Sequence, residues 1–394
     1  MININARKYY DDSGEICERK GLGHPDTICD LIAENLSLNL SRHYLENFGF
    51  ILHHNVDKIL LAGGKSEPEF GGGRSIEPIR LFLAGRATAE YKGKKIPVEE
   101  IIFESIESLL KQKFQHLTMD NFEIHNSIRQ GSVDLVELFE RGIQTGEFLS
   151  NDSSSGVGYA PLSDLEKIVL DTELFLNSPG IKKTCPETGE DIKIMGVRQN
   201  NVITLTAGIA FVDKHIQSID DYSAKKDTIE KIIVERNNRP DIDLSIKVNT
   251  GDDLKNNSIF MTVTGTSAEA GDDGEVGRGN RPNGLISPYR PMTMEAIAGK
   301  NPVTHVGKLY NYIAMKISGE IAELDEVKRC YCYLVSRIGH PVSEPFYIDI
   351  QLLTADGTLS EKNKKLLYEM VNENLLSLKT FGVDLVKQGK LLAF

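Results

Sequence analysis

The sequence predicts an α+β protein assembled from related units. Strand-like apolar runs and long helical patterns recur several times along the chain, and polar, glycine-rich segments separate them. Its 394 residues suffice for two or three layered units, each with a substantial core. Low-complexity segments are absent.

The stretch ERKGLGHPDTICD at 18–30 reads as a loop feeding a helix, because apolar residues follow at helical spacing through residue 47 and Pro25-Asp26 suits a helix start. Two strand-like runs, 56–62 and 79–84, flank the glycine-rich GGKSEPEFGGGRSIEP. Helical patterns follow at 98–114, 133–145 and 164–176. A strand is expected at 202–212, a charged helix at 225–237, and further strands at 242–248 and 259–264. Residues 266–301 then lose regular periodicity, and a loop of that length inside a compact protein is more often functional than idle. A helix at 303–324, strands at 331–335 and 346–352, and a helix at 360–378 complete the reading.

Composition narrows the function. With 45 basic against 57 acidic side chains, the net charge is −12, which disfavours a general nucleic-acid binder. Any polyanionic ligand must be met by local clusters of Lys and Arg. Five cysteines without a framework spacing suggest reduced thiols, and no apolar run approaches the ~18 residues of a membrane span. A soluble, cytoplasmic protein is expected.

No standard phosphate loop is present. Gly64-Lys65-Ser66 has Ile59 where a P-loop needs glycine, and no GxGxxG opens a helix after a strand. Three clusters remain. In GLGHPD, His24 can act as a general acid or donor and Asp26 as a magnesium ligand, but His-Pro-Asp is equally a helix cap. In GDDGEVGRGNR at 271–281, carboxylates can hold metal or ribose and arginines phosphate, or the segment is a solvated turn. The continuation AGKNP adds the Lys300 ammonium near a helix start. The run NDSSSGVGYAP at 151–161 is a polar glycine loop whose Asp152 can orient a ligand, while DIKIMGVR at 191–198 alternates like a strand with Lys193 and Met195 on one face. Such groups suit a reaction on a polyphosphate, in which the protein positions reactants and neutralises charge.

ERKGLGHPDTICD, GGGRSIEP, AGRAT, NDSSSGVGYAPL, DIKIMGVR, GDDGEVGRGNRPNGLISPYRPM and AGKNPVTHVGK, in this order, closely resemble the archaeal-type S-adenosylmethionine synthetase (methionine adenosyltransferase) family. The resemblance implies one chain, residues 1–394, of three similar, interleaved α+β subdomains in a pseudo-threefold arrangement. It also implies a homodimer at least, alone or as a dimer of dimers, with sheets packing at its interface and active sites between subunits. ATP and L-methionine would react by attack of sulfur on C5′, and the released triphosphate would be cleaved to pyrophosphate and phosphate. Two magnesium ions per site and potassium are implied cofactors.

Carried over residue by residue, the resemblance places His24 beside the ribose O5′ and makes Asp26 a magnesium ligand. Lys193, Arg278 and Lys300 match phosphate-binding positions, with Arg281 and Lys308 as further phosphate candidates. Asp152 matches a substrate-orienting carboxylate and Asp272 one near methionine or the nucleotide, a role open also to Asp273. Ser155 departs from the family's usual aromatic, and Thr304 and Val306 replace a lysine and an aspartate of the bacterial and eukaryotic branch. A catalytically silent homologue and a polyphosphate hydrolase are the competing readings.

Overall fold

In a computed structural model, residues 2–10, 13–131, 142, 147–237 and 239–389 are described. The chain starts with β1 (Ile2–Lys8), β2 (Gly14–Lys20) and helix α1 (Pro25–Phe48), followed by β3 (His54–Ala62), β4 (Lys65–Glu67), β5 (Arg74–Glu77), β6 (Ile79–Ala87), β7 (Glu90–Tyr91) and β8 (Lys94–Lys95). Helix α2 (Val98–Lys113), β9 (Phe122–Arg129), β10 (Ser155–Ala160), α3 (Asp164–Leu176), the short α4 (Pro179–Thr184), β11 (Thr188–Gln199) and β12 (Val202–Val212) come next. The rest comprises α5 (Ile219–Arg236), β13 (Asp243–Val248), β14 (Met261–Thr262), β15 (Gly274–Glu275), α6 (Val306–Ala322), β16 (Val327–Val335), β17 (Tyr347–Thr354) and α7 (Glu361–Gln388).

Three larger sheets organise these elements, in the orders β15-β3-β6-β9, β2-β11-β12-β13 and β10-β16-β17-β1. Read in those orders, each has two antiparallel pairings followed by one parallel pairing. The edge strand that opens each sheet leads along the chain into a helix of a different sheet. β2 precedes α1, which packs on β3, β10 precedes α3, which packs on β11, and β15 precedes α6, which packs on β16. Each unit thus lends one strand to a neighbour. Three hydrophobic cores lie under the helix pairs: Ile28, Leu36, Ile59, Leu81 and Ile106 in the first, Leu165, Ile194, Leu205 and Ile229 in the second, and Leu309, Ile317, Cys332, Ile350 and Leu375 in the third. All five cysteines are free and buried.

Local chemistry sets the helix boundaries. Ser163 caps α3 while Glu166 bonds back to the Ser163 N–H in a capping box, and Ser360 caps α7, which stops at Gly389 in left-handed geometry. In α2, Ile102, Ile106, Leu109 and Leu110 repeat at helical spacing and are all buried.

The mixed α+β class read from the sequence is the class observed, with several differences in detail. The expected helix at 133–145 lies, but for Gly142, outside the described residues. The strand expected at 259–264 shrinks to two residues, Met261–Thr262, and the helix expected at 225–237 begins earlier, at Ile219. Residues 155–160, read as loop because of their glycines, form β10. The reason is steric: a Cβ on Gly156 or Gly158 would stand 2.1 Å from backbone of Tyr310 or Ala314, so these glycines let the strand lie directly on α6. No helix among the described residues is long and apolar enough to cross a membrane.

Candidate active site

The site starts where β2 runs out. Lys20 pairs with Lys193 and Glu18 with Met195 across the β2–β11 ladder, so these four side chains share one sheet face. The ladder continues into GLGH, since Gly21 N–H donates to Ile192 O and Gly23 N–H to Glu190 O, both at 2.8 Å. A Cβ on Gly23 would meet Asp191 N at 2.4 Å, which explains the glycine. The chain then turns into α1, and His24 becomes the N-cap, its Nδ1 accepting the Asp26 N–H at 3.2 Å. That bond puts the proton of the neutral ring on Nε2. Burial pushes the His24 pKa down to about 4, helped by Lys20 and Lys193 and opposed by Asp26 and Asp272. At neutral pH His24 is therefore a neutral donor.

The 271–278 segment crosses over this helix start. Asp26 Oδ1 accepts the Glu275 N–H at 2.9 Å, and Asp26 Oδ2 takes the Lys20 ammonium at 2.7 Å. Lys20 also donates to the Arg278 carbonyl. Ser267 Oγ lies 2.7 Å from Asp191 Oδ2 and 2.9 Å from Asp272 Oδ2. Asp191 is buried, and that burial raises its carboxyl to about 6. Asp273 accepts the Gly63 N–H just beyond β3. Lys193 Nζ is 3.1 Å from Glu18 Oε1 and remains substantially exposed. The exposed Arg278 guanidinium has no side-chain partner among the described residues.

A second group gathers near the other end of β3. Lys300 donates to Asp57 Oδ2 at 2.7 Å and reaches Glu295 Oε2 at 3.3 Å. Burial would raise the Asp57 carboxyl, but the Lys300 ammonium outweighs it and holds the group down at about 2. Glu295 accepts from Ser154 Oγ, which ties in the loop carrying the exposed Asp152. Asp57 and Gly63 are six residues apart on an extended strand, which corresponds to about 20 Å.

Two candidates have partners that account for them structurally. Lys308 is fully buried and bonds both Glu34 carboxylate oxygens, at 2.9 and 2.7 Å. The Arg281 guanidinium donates to the carbonyls of Gly277, Gly279 and Thr293, holding the long loop together. Sequence reasoning missed Glu18, Lys20, Asp57, Asp191, Ser267 and Glu295. Glu18, Lys20 and Asp191 lay inside quoted motifs; Asp57 carried no local signal.

Among the described residues, no group of three or more His, Cys, Asp or Glu side chains is placed to hold a metal. Magnesium asks for less, since it usually binds one or two carboxylates and completes its shell with phosphates and water. At the start of α1 the carboxylate open to that role is Asp26, whose Oδ2 is held by the Lys20 ammonium and Oδ1 by the Glu275 N–H, so a metal there would have to displace Lys20.

A model of the S-adenosylmethionine synthetase family matches residues 1–389. The chain belongs to that family. A probable S-adenosylmethionine synthase of Aquifex aeolicus is 50% identical over 366 residues, covering 91% of this chain and 92% of the relative. The synthetase-family relative from Methanocaldococcus jannaschii, an S-adenosylmethionine synthase, is 48% identical over 353 residues, covering 87% and 86%. One from Saccharolobus islandicus is 45% identical over 388 residues, covering 96% and 95%. A solved S-adenosylmethionine synthetase from Campylobacter jejuni aligns at a TM-score of 0.61 over 97% of this chain and all of its own, at 13% identity, which shows the shared synthetase fold.

Proposed function

We infer that this chain is a methionine adenosyltransferase that joins L-methionine to ATP. The methionine sulfur forms a bond to ribose C5′ as the C5′–O5′ bond breaks, and the displaced triphosphate is cleaved to pyrophosphate and phosphate. The start of α1 carries this reading: a neutral histidine donor lies beside Lys20 and Lys193, with the Arg278 backbone held by Lys20, around a helix N-terminus that itself favours anions.

A thioether is a weak nucleophile, so alignment and stabilisation of the departing charge must supply most of the rate. His24 serves O5′ as a hydrogen-bond donor through Nε2–H. Protonation is not available to it near neutral pH, because its pKa lies at about 4. Lys193 and Arg278 neutralise the triphosphate, and Asp272, held by Ser267, orients the polar end of methionine or the nucleotide. Magnesium would be held by Asp26 and would add to the neutralisation of phosphate charge, and potassium would assist binding.

The two groups gather around opposite ends of β3. We assign the enzyme to a homodimer in which the Lys300 group of one protomer completes the Lys193 group of the other. The outer face of the β3 sheet supports this, because Leu60, Phe82 and His125 form a registered row there and both apolar side chains are exposed. Exposed Asp152 joins the site through the same pairing, and the cytoplasm is the expected compartment.

The test is mass spectrometry of a reaction containing ATP, L-methionine, magnesium and potassium, with both phosphates followed in parallel. Methionine-dependent S-adenosylmethionine in step with both is expected. ATP binding without a sulfonium product would overturn the reading.

A further inference from the structure

The three edge strands β2, β10 and β15 occupy equivalent places in their sheets, and each leads into a helix. Those helices begin at His24, Ser163 and His305. Serine is an ordinary cap, but histidine is not among the residues favoured for that task. The two histidine caps share one geometry: Nδ1 accepts the N–H two residues on, at 3.2 Å in both. With Nδ1 an acceptor, the proton of each neutral ring is on Nε2. No protein acceptor among the described residues takes either Nε2–H, and neither nitrogen is among the fully buried atoms lacking a partner.

Position separates the histidine caps from the serine cap. His24 stands in the Lys193 group, while the charges nearest His305 are Lys300, Asp57, Lys308 and Lys58. Glu295 also faces it, since a Cβ on Gly307 would meet both that carboxylate and the His305 ring. Ser163 belongs to neither group. The Glu166 of its capping box is occupied by Arg290, at 3.0 and 2.8 Å. The two helix starts with a spare imidazole donor are thus the two that lie among phosphate-binding candidates.

We propose that His305 donates a hydrogen bond from Nε2 to the phosphate chain of the nucleotide, as the counterpart in the Lys300 group of His24 in the Lys193 group. This assignment rests on the reading of the two groups as one ATP site. A residue that only capped α6 would be replaceable by any good cap, whereas a donor is replaceable only by another donor. Burial holds the His305 ring neutral, and so Nε2 remains a single fixed donor near neutral pH.

Two substitutions separate the roles. His305→Ser keeps a cap and loses the donor; His305→Asn keeps a cap and offers an amide N–H. Both are compared with wild type by calorimetric titration of inorganic tripolyphosphate with magnesium, alongside thermal unfolding. The expected result is a loss of about tenfold in affinity for His305→Ser, recovery to within about threefold in His305→Asn, and similar unfolding temperatures for all three proteins. Wild-type affinity in His305→Ser would overturn the proposal. So would equal loss in both variants, or a large drop in unfolding temperature in both, since these mark a packing role. Failure of the wild type to form S-adenosylmethionine would instead overturn the reading of the site.

Discussion

Replacing Lys308 by methionine tests whether its ammonium serves the ligand or the fold. The side chain is 1% exposed, and both bonds from Nζ go to Glu34, whose Oε2 also accepts the Gly299 N–H at 3.1 Å. Methionine fills similar space but leaves the Glu34 carboxylate buried without its cation, which costs about 3–5 kcal/mol. At roughly 2.1 cal/mol/K of unfolding entropy per residue, 394 residues turn this loss into a fall of about 4–6 °C in unfolding temperature. Adding Glu34→Gln removes the stranded charge and keeps an acceptor for Gly299, so the double variant should regain at least about half of the loss. Scanning calorimetry reads the stability, and tripolyphosphate titration reads the site. An unfolding temperature within about 1 °C of wild type, coupled to about tenfold weaker tripolyphosphate binding, would refute the structural assignment and make Lys308 a ligand residue.

On the proposed role of the exposed Arg278 guanidinium in neutralising the leaving group, Arg278→Ala should lower turnover by at least ~100-fold while leaving the unfolding temperature nearly unchanged. Steady-state rates check this, and near-normal turnover would remove Arg278 from the mechanism. Asp26→Asn should shift the magnesium titration of activity sharply upward; an unchanged titration curve would exclude Asp26 as a metal ligand. Nitrogen-15 spectra should show His24 as the neutral Nε2–H form from pH 5.5 to 8, with titration only near pH 4. The unfolded ring titrates near 6.5, so His24 contributes stability fully above that pH and loses it as pH falls towards 4. A titration midpoint near 6.5 in the folded protein would contradict the burial argument. Gly158→Ala should destabilise by about 1–3 kcal/mol, because its Cβ would collide with the α6 backbone. Denaturant unfolding reads that cost, and a neutral result would show that strand and helix can separate.

Much of this site was legible because its residues are neighbours in sequence. His24 and Asp26 share one helix start, Asp272, Asp273 and Arg278 share one loop, and the alternation around Lys193 announced a strand. What escaped depends on contacts between distant segments. Asp57 becomes meaningful only when Lys300 is brought to it across 243 positions, and Ser267 only when β11 places Asp191 beneath it. β10 was hidden because its glycines look like loop residues until α6 is seen pressing on them. The motif around Lys308 marks it as a phosphate candidate and says nothing of Glu34, which bonds it from α1.

The pairing of β1 with β17 joins strands 346 residues apart, with Ile2 opposite Ile348 and Lys8 opposite Thr354. At a translation rate of about 5–20 residues per second, β1 leaves the ribosome about 17–70 s before its partner exists. Throughout that interval it presents an unpaired edge, which chaperones or stray strands can occupy. β2 also waits for β11, whose pairing residues come 173 to 185 positions later. Nascent chains interrupted before β17 therefore cannot close the β10-β16-β17-β1 sheet, and their lifetime in the cell should depend on proteolysis more than on refolding.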